Sequence, residues 1–184
     1  MRNSLIPSHF LVETVSKHKF SRRNALDIGC GDGRDTFFLL NNDFTVTAID
    51  KDKASITEKM ARFKDSNLKV ICDYAENVEL GSQVFDVVNA QAVLPFVDSR
   101  FISVLLENIH DSLESGGYFV GQFFGVEDEW ALTSQNITFH SEMDVRKLLS
   151  KFNIIKLVEL KKYGFTQKNE PKFWHFFSFI AQKS

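Results

Sequence analysis

An acidic residue precedes three regularly spaced glycines in residues 25–35, and these residue types suit the binding of a small charged ligand. Asp27 lies two positions before Gly29, and Gly31 and Gly33 follow at every second position. Glycines permit positive φ angles and a close approach of the backbone, and a helix that begins after such a loop points free N–H groups outward. A carboxylate beside this loop favours a ligand with a free ammonium group over a pyrophosphate.

Two other nucleotide-binding motifs do not fit this loop. A dinucleotide fingerprint G-x-G-x-x-G that starts at Gly29 would need a glycine at position 34, where Arg34 stands. A Walker phosphate loop needs Gly-Lys-Ser/Thr after its second glycine, and this stretch has no such triplet. The pattern D-x-G-x-G-x-G therefore remains.

The loop is predicted to lie between a buried strand and a helix, the first of several such pairs. Strands are predicted at 25–28, 44–49, 68–72, 84–89 and 118–125, with helices at 33–41, 52–64 and 101–113 between them. A leading helix is predicted at 7–18, where Pro7 suits the first helical position. Strands that alternate with helices are typical of a doubly wound parallel sheet.

The last third of the chain departs from this alternation. Ser141 is predicted to cap a helix that runs through Leu149, and two strands follow at 152–160 and 173–181. Their connection, 164–171, has the length of a hairpin, so these two strands must be antiparallel. The absence of a Pro/Gly/Ser-rich linker and of an internal repeat favours one domain over two.

Residues 26–33, Leu-Asp-Ile-Gly-Cys-Gly-Asp-Gly, resemble motif I of the class I S-adenosylmethionine-dependent methyltransferases. Residues 85–88, Phe-Asp-Val-Val, resemble motif IV of the same family, and the pattern L-x-x-G-G-x-F that begins at Leu113 resembles motif V. Within the family, residues 29–35 and 50–56 look most like the tellurite-resistance and thiopurine-type small-molecule methyltransferases. The resemblance covers nearly the whole chain from residue 25.

This resemblance implies an α/β, Rossmann-like, doubly wound seven-stranded sheet. Its strand order would be 3-2-1-4-5-7-6, with strand 7 antiparallel. It also implies a single methyltransferase domain over 1–184, with the leading helix in 1–22 and the catalytic core in 23–184.

The resemblance further implies that the bound cofactor is S-adenosyl-L-methionine, with S-adenosyl-L-homocysteine as product. Asp50 ends the second strand, where an acid can accept hydrogen bonds from both ribose hydroxyls; the alternative is that it caps the helix 52–64. Asp73 ends the third strand and can accept a hydrogen bond from the adenine amine. The predicted cofactor-binding residues are Asp27, Gly29, Cys30, Gly31, Gly33, Arg34, Asp50, Lys51, Asp73, Tyr74, Ala75, Asn89 and Ala90.

Fewer residues can be assigned to catalysis. The loop 89–96 leaves the sheet opposite the glycine loop, so Asn89 and Gln91 are predicted to face the transferring methyl group. Val93, Leu94 and Phe96 are predicted to supply apolar wall beside them. His175 is the first candidate for a general base, and its aromatic neighbours suit a core histidine equally well. The tetrapeptide N/D-P-P-Y/F of amide-nitrogen methyltransferases is missing from this loop, which disfavours methylation of adenine N6 or of glutamine.

The acceptor is less well defined than the cofactor. Phe123, Phe124 and Trp130 are candidates for the wall of an acceptor pocket. Lys172 and Arg146 could attract an anionic substrate, but an exposed, solvated charge is the preferred interpretation of each. A soft anionic acceptor such as a thiolate or a metalloid oxyanion would need no base. A protonated amine or hydroxyl group would need one.

Composition limits the partners. The net charge is −2 with acids and bases interspersed, which disfavours nucleic acid, and no apolar run approaches the ~18 residues of a membrane span. Two cysteines provide neither a disulfide framework nor a metal site. We therefore expect a cytoplasmic monomer or homodimer that acts on a small-molecule acceptor without a metal. The alternative is an S-adenosylmethionine-binding protein that has a protein partner or substrate and lacks transfer activity.

Overall fold

A computed structural model describes residues 6–54, 56, 65–166 and 168–184 of the chain. Within these residues one sheet has eight strands: β1 (Asn24–Ile28), β2 (Thr45–Asp50), β3 (Leu68–Cys72), β4 (Phe85–Ala90), β5 (Leu113–Gly125), β6 (Phe139–His140), β7 (Asn153–Phe165) and β8 (Pro171–Gln182). The α-helices are α1 (His9–Lys17), α2 (Arg34–Leu40), α3 (Ile102–Ser112) and α4 (Glu142–Leu148). No helix in these ranges is both long enough and apolar enough to span a membrane.

The order of the strands confirms the predicted Rossmann-like sheet. The sheet runs β3-β2-β1-β4-β5-β8-β7, and β6 pairs with β5 outside this path. Strands β1 to β5 pair in parallel, whereas β8 is antiparallel to both β5 and β7. The predicted strands 6 and 7 are therefore β7 and β8.

Two details of the sheet differ from the prediction. β6 has only two residues, which is too few for an alternating pattern to be visible in sequence. β7 is an edge strand that continues to Phe165, five residues beyond the predicted end. The adjacent residues Lys161 and Lys162 interrupt the apolar pattern there, because charged side chains are typical of exposed edge strands. The predicted helix 52–64 lies mostly outside the described residues.

The two central strands carry polar side chains into the interior of an apolar sheet. All six residues of β4 and four of the five in β1 are buried, as expected for parallel strands covered on both faces. Asp27 of β1 and Asn89 of β4 are direct neighbours in the parallel register. Their side chains therefore meet at the carboxyl ends of the strands, the edge at which open α/β sheets bind ligands.

The helix α1 covers part of the sheet beside β5 and β8. Phe10 is buried against Tyr118, Val120 and Ile180. The Nζ of Lys156 on β7 lies 2.6 Å from the carboxylate of Glu13, and the Nζ of Lys17 lies 2.8 Å from it. These two ammonium groups, Lys156 first, lower the pKa of Glu13 to about 2.

Phenylalanine side chains pack together on one face of the paired strands β5 and β8. Phe119, Phe123 and Phe179 are fully buried, with ring centroids 5.0 Å apart for Phe119 and Phe179 and 5.6 Å apart for Phe123 and Phe179. Gly121 lies directly opposite Phe179 on the neighbouring strand. A Cβ atom at position 121 would lie 2.6 Å from Cζ of Phe179, so the aromatic packing requires a glycine there.

Replacing Gly121 with alanine should destabilise the protein by about 1–3 kcal/mol, because the added methyl group overpacks the core. Urea denaturation of the wild type and of Gly121→Ala measures this loss. The same substitution in a Phe179→Leu background should cost clearly less, since the shorter side chain makes room for the methyl group. Equal losses in the two backgrounds would show that the contact with Phe179 is not the cause.

Candidate active site

The glycine loop is held between the end of β2 and the loop that follows β4. The N–H groups of Gly29 and Cys30 donate to the carbonyl oxygen of Ile49, and the N–H of Gly31 donates to Oδ2 of Asp50 at 2.8 Å. Gly29 has φ +70°, and a Cβ atom there would lie 2.6 Å from Cβ of Val93. Only glycine satisfies both the left-handed backbone and this close approach.

A cavity of about 320 Å³ lies over this loop at the carboxyl ends of β1 and β2. Its volume is at the lower end of the roughly 300–1,000 Å³ range of small-molecule sites. Seven predicted cofactor-binding residues line it: Gly29, Gly31, Asp50, Lys51, Asp73, Tyr74 and Ala75. Its remaining lining is mostly apolar, and only Val93 and Phe96 of it were expected, as apolar wall of the loop 89–96: Ile28, Ile49, Glu76, Ala92, Val93, Phe96 and Val97. We call this cavity the cofactor cleft.

The other predicted cofactor-binding residues lie outside the lining of the cofactor cleft: Asp27, Cys30, Gly33, Arg34, Asn89 and Ala90. Four of these side chains are buried, whereas Gly33 caps α2 in a left-handed conformation. The Arg34 guanidinium is partly exposed and forms an ion pair with Asp35. The structure therefore places this group beneath and beside the glycine loop.

A network of buried polar side chains supports the loop from below. The amide Nδ2 of Asn89 donates to Oδ1 of Asp27 at 2.8 Å and lies 3.3 Å from Oδ2 of Asp35. The Thr36 hydroxyl donates to Oδ2 of Asp27. Burial, followed by the nearby charge of Asp35, raises the pKa of Asp27 from its ordinary value of 3.8 to about 7. The Oδ1 atom of Asn89 is buried and has no hydrogen-bond partner within the described residues.

A second, larger cavity of about 890 Å³ adjoins the cofactor cleft, and Ala92 and Phe96 line both. Aromatic rings form much of its wall: Phe96, Phe124, Trp130, Phe165, Trp174 and Phe176. Of the residues predicted to wall an acceptor pocket, Phe124 and Trp130 line this cavity, whereas Phe123 is buried in the core. We call it the aromatic cavity.

His175 lies on the other face of β8 from the aromatic cavity. The alternation of a strand places Trp174 and Phe176 toward the cavity, a signal that sequence reasoning missed, and it places His175 away from the cavity. The ring is 2% exposed; Nδ1 accepts a hydrogen bond from the N–H of Glu127 at 3.0 Å, and Nε2 lies 2.9 Å from Oε1 of Glu159. Both ring nitrogens are therefore engaged with the protein.

The two other residues predicted to be catalytic also line neither cavity. Asn89 belongs to the buried network, and Nε2 of Gln91 is buried without a hydrogen-bond partner in the described part of the chain. The structure thus brings the predicted cofactor-binding residues together more completely than the predicted catalytic ones. In the same ranges, no cluster of three or more His, Cys, Asp or Glu side chains is arranged to hold a metal ion.

The expectation that Lys172 is solvent exposed is wrong. Its side chain is 1% exposed, forms an ion pair with the fully buried carboxylate of Asp128, and has Nζ 3.5 Å from the ring centroid of Trp174. Asp128 also accepts hydrogen bonds from the N–H groups of Trp130 and His175. This ion pair therefore attaches the 3₁₀ turn Glu129–Leu132, which carries Trp130, to β8.

Comparison with known proteins places these features in context. The family model of the tellurite resistance protein TehB matches residues 4–164. A malonyl-[acyl-carrier protein] O-methyltransferase of Acetivibrio thermocellus is 30% identical over 140 residues. That match covers 75% of this chain and 47% of the relative, so the chain spans about half the length of the curated relative.

Solved structures with a similar fold include TehB and S-adenosylmethionine-dependent methyltransferases. TehB from Haemophilus influenzae has a TM-score of 0.79 at 16% identity, over 95% of this chain and 61% of that one. An S-adenosylmethionine-dependent methyltransferase from Methanosarcina mazei has a TM-score of 0.72 at 21% identity, over 97% and 99% of the two chains. A 1,6-didemethyltoxoflavin-N1-methyltransferase from Burkholderia thailandensis, solved with its acceptor and S-adenosylhomocysteine, has a TM-score of 0.67 at 20% identity, over 88% and 71%.

The raised pKa of Asp27 predicts a specific pH dependence of stability. Because the folded protein holds this proton more tightly than the unfolded chain, the stabilising contribution is full below about pH 4 and is lost as the pH rises through about 7. The free energy of unfolding of the wild type, relative to Asp27→Asn, should therefore fall over this window by at most about 1.4 kcal/mol per pH unit. Urea denaturation at successive pH values measures it.

The exposed residue Asp43 offers a matched control for this experiment. Asp43→Asn makes the same chemical change away from the network, and its difference from the wild type should vary little over the same range. Parallel pH profiles for the wild type and Asp27→Asn would contradict the assignment.

The buried ion pair between Lys172 and Asp128 predicts that a single and a double variant differ in stability. Lys172→Met should destabilise the protein by about 3–5 kcal/mol, because it leaves the carboxylate of Asp128 buried without its counter-ion. The double variant Lys172→Met, Asp128→Asn should lose clearly less, since an asparagine oxygen can still accept a backbone hydrogen bond. Thermal unfolding compares the two; a double variant as unstable as the single one would rule out the stranded charge as the cause.

Proposed function

The chain belongs to the TehB family, within the class I S-adenosylmethionine-dependent methyltransferases, and on this premise we propose that it methylates a small molecule held in the aromatic cavity. The observation that carries the proposal is the junction between the two cavities. Ala92 and Phe96 line both, so a cofactor in one and an acceptor in the other would be in contact without crossing the protein interior.

The residues of the cofactor cleft fit S-adenosylmethionine. The carboxylate of Asp50 would accept the ribose hydroxyls, and Asp73 would accept the exocyclic amine of the adenine. Ile49, Val93 and Val97 supply apolar surface for the adenine ring. The unpartnered Oδ1 of Asn89 offers an acceptor for the ammonium group of the amino-acid tail, with Asp27 setting the orientation of the Asn89 amide.

Ala92 suits the junction because its side chain is small. Its φ of +53° lies in the left-handed region, which non-glycine residues rarely adopt and which is common where function constrains the backbone. A methyl group leaves the passage between the cavities open, whereas a longer side chain would occupy it. We therefore propose that Ala92 sets the distance between the methyl donor in the cofactor cleft and the acceptor in the aromatic cavity.

The bound cofactor would supply an electrophilic methyl group and a neutral thioether as its leaving group. The protein's part is to align the acceptor and to exclude water, for which the rigid aromatic wall is suited. The titratable side chains on the wall of the aromatic cavity are Lys162, Lys168 and Glu170. His175 takes no proton in this proposal, and an acceptor that is already ionised needs no base.

The wider features of the proposal follow from the sequence. Residues 23–184 would act as one catalytic unit, with 1–22 as a leading segment. A cytoplasmic location is supported by the unpaired thiols of Cys30 and Cys72, which suit a reducing compartment. A monomer or a homodimer would be compatible with this chemistry.

Asp50→Asn should weaken the binding of S-adenosylhomocysteine by about 1–3 kcal/mol, because the ribose hydroxyls lose a charged acceptor while the size of the side chain is kept. Isothermal titration calorimetry measures the change, with Asp43→Asn as an exposed control of equal charge. Affinity that is unchanged in Asp50→Asn would remove this residue from the site. Tighter binding of NAD than of S-adenosylhomocysteine by the wild type would overturn the cofactor assignment.

Transfer itself is tested with a labelled methyl donor and a panel of thiols, phenols, amines, selenite and tellurite. Methylation of at least one of these acceptors is expected. Binding of the cofactor without transfer to any of them would favour the alternative, a cofactor-binding protein that acts on a protein partner.

A further inference from the structure

The aromatic cavity is built from rings that come from several separate elements. Phe124 lies on β5, Trp174 and Phe176 lie on β8, Trp130 belongs to the turn Glu129–Leu132, and Phe96 follows β4. Neighbouring rings meet edge to face, with centroids 5.3 Å apart for Trp130 and Trp174 and 5.7 Å apart for Phe124 and Trp174. Such mutual packing fixes the rings and leaves flat apolar surfaces for a ligand.

A buried cation lies behind these rings. Nζ of Lys172 is 3.5 Å from the ring centroid of Trp174, 4.3 Å from that of Trp130 and 5.3 Å from that of Phe124. The Lys172 side chain is 1% exposed and does not line the aromatic cavity, so its ammonium group is out of direct contact with a ligand there. A cation on one side of a ring attracts π-electron density, which makes the opposite side less attractive to a second cation and more attractive to an electron-rich ring.

Positive charge also predominates where the cavity wall is exposed. The charged residues of its lining are Lys162, Lys168 and Glu170, all on the β7–β8 hairpin and all exposed. Lys162 has no ion-pair partner among the described residues, and its Nζ lies 5.7 Å from the ring centroid of Phe176. An ammonium group beside an aromatic wall suits a ligand that is flat at one end and anionic at the other.

From these observations we infer that the acceptor is a planar aromatic molecule with an anionic substituent, an assignment that rests on the proposed function. The ring of the acceptor packs against Trp130 and Trp174, and its anionic group lies toward Lys162. An aliphatic acyl chain would make no use of the electron-poor ring faces. A cationic aromatic amine would be repelled by the ammonium group of Lys162 and disfavoured by the Lys172–Asp128 ion pair, whose positive end lies against the rings.

The chain carries its own optical probe for this site. Trp130 and Trp174 are its two tryptophans, and both line the aromatic cavity. With S-adenosylhomocysteine present at saturation, so that the cofactor cleft is filled, tryptophan fluorescence excited near 300 nm reports on the aromatic cavity. Three probes of similar size distinguish the effect of the aromatic ring from the effect of the negative charge. They are 4-hydroxybenzoate, its saturated analogue 4-hydroxycyclohexanecarboxylate, and the cation 4-hydroxybenzylammonium.

We expect 4-hydroxybenzoate to bind at least tenfold more tightly than either of the other two probes. Lys162→Gln should weaken its binding several-fold, whereas Lys161→Gln should not, because Lys161 carries the same charge on the same strand but does not line the cavity. In the double variant Lys172→Met, Asp128→Asn, the preference for 4-hydroxybenzoate over the cation should shrink. Near-ultraviolet circular dichroism checks that each variant is folded.

The outcomes separate this inference from the proposed function. Equal affinity for the saturated analogue, a preference for the cation, or no binding of any probe while S-adenosylhomocysteine binds would overturn the aromatic-anion assignment and leave the methyltransferase proposal standing. Failure of S-adenosylhomocysteine to bind at all would overturn the proposed function, and the inference with it.

Discussion

The hydrogen bond between the Asn89 amide and the Asp27 carboxylate is the interaction on which the site depends. It joins the two central strands at the level where the glycine loop begins, in a region from which water is excluded. An uncompensated carboxylate at such depth would be costly, and the donors from Asn89 and Thr36 reduce that cost without removing it, as the raised pKa of Asp27 shows. The polar network thus joins β1 to β4 and to α2 directly below the glycine loop, at the cost of burying a carboxyl group.

Sequence reasoning recovered the parallel part of the sheet because its signals are local. The strands around Asp27, Asp50 and Asp73 are apolar runs that end in an acid, and parallel topology brings such ends to one edge. The same logic located most of the polar lining of the cofactor cleft. It also predicted Val93 and Phe96 as apolar wall, but it could not locate Ala92 or Val97, because the backbone geometry of the loop after β4 leaves no periodic pattern in the sequence.

The aromatic cavity was less predictable for a different reason. His175 attracted attention as a titratable residue among aromatics, yet strand alternation turns Trp174 and Phe176 toward the cavity and His175 toward Glu159. The residue type of His175 suggested a chemical role, whereas the alternation of the strand predicted that its side chain packs away from the cavity. The structure follows the alternation. Lys172 is a similar case: its burial follows from a contact with Asp128, 44 positions away, which no local pattern reveals.

In several hydrogen bonds between separate elements, a side chain is the acceptor and a backbone N–H group is the donor. Ser8 donates its N–H to Asp35, Gly31 to Asp50, Glu127 to His175, and His175 to Asp128. Any residue other than proline supplies a backbone donor, so substitutions at position 8 or 127 preserve these bonds. Over evolutionary time positions 8 and 127 are free to change, while selection acts on the acceptors Asp35 and His175. Lineages of this protein should therefore keep these two acceptors and vary the residues that donate to them.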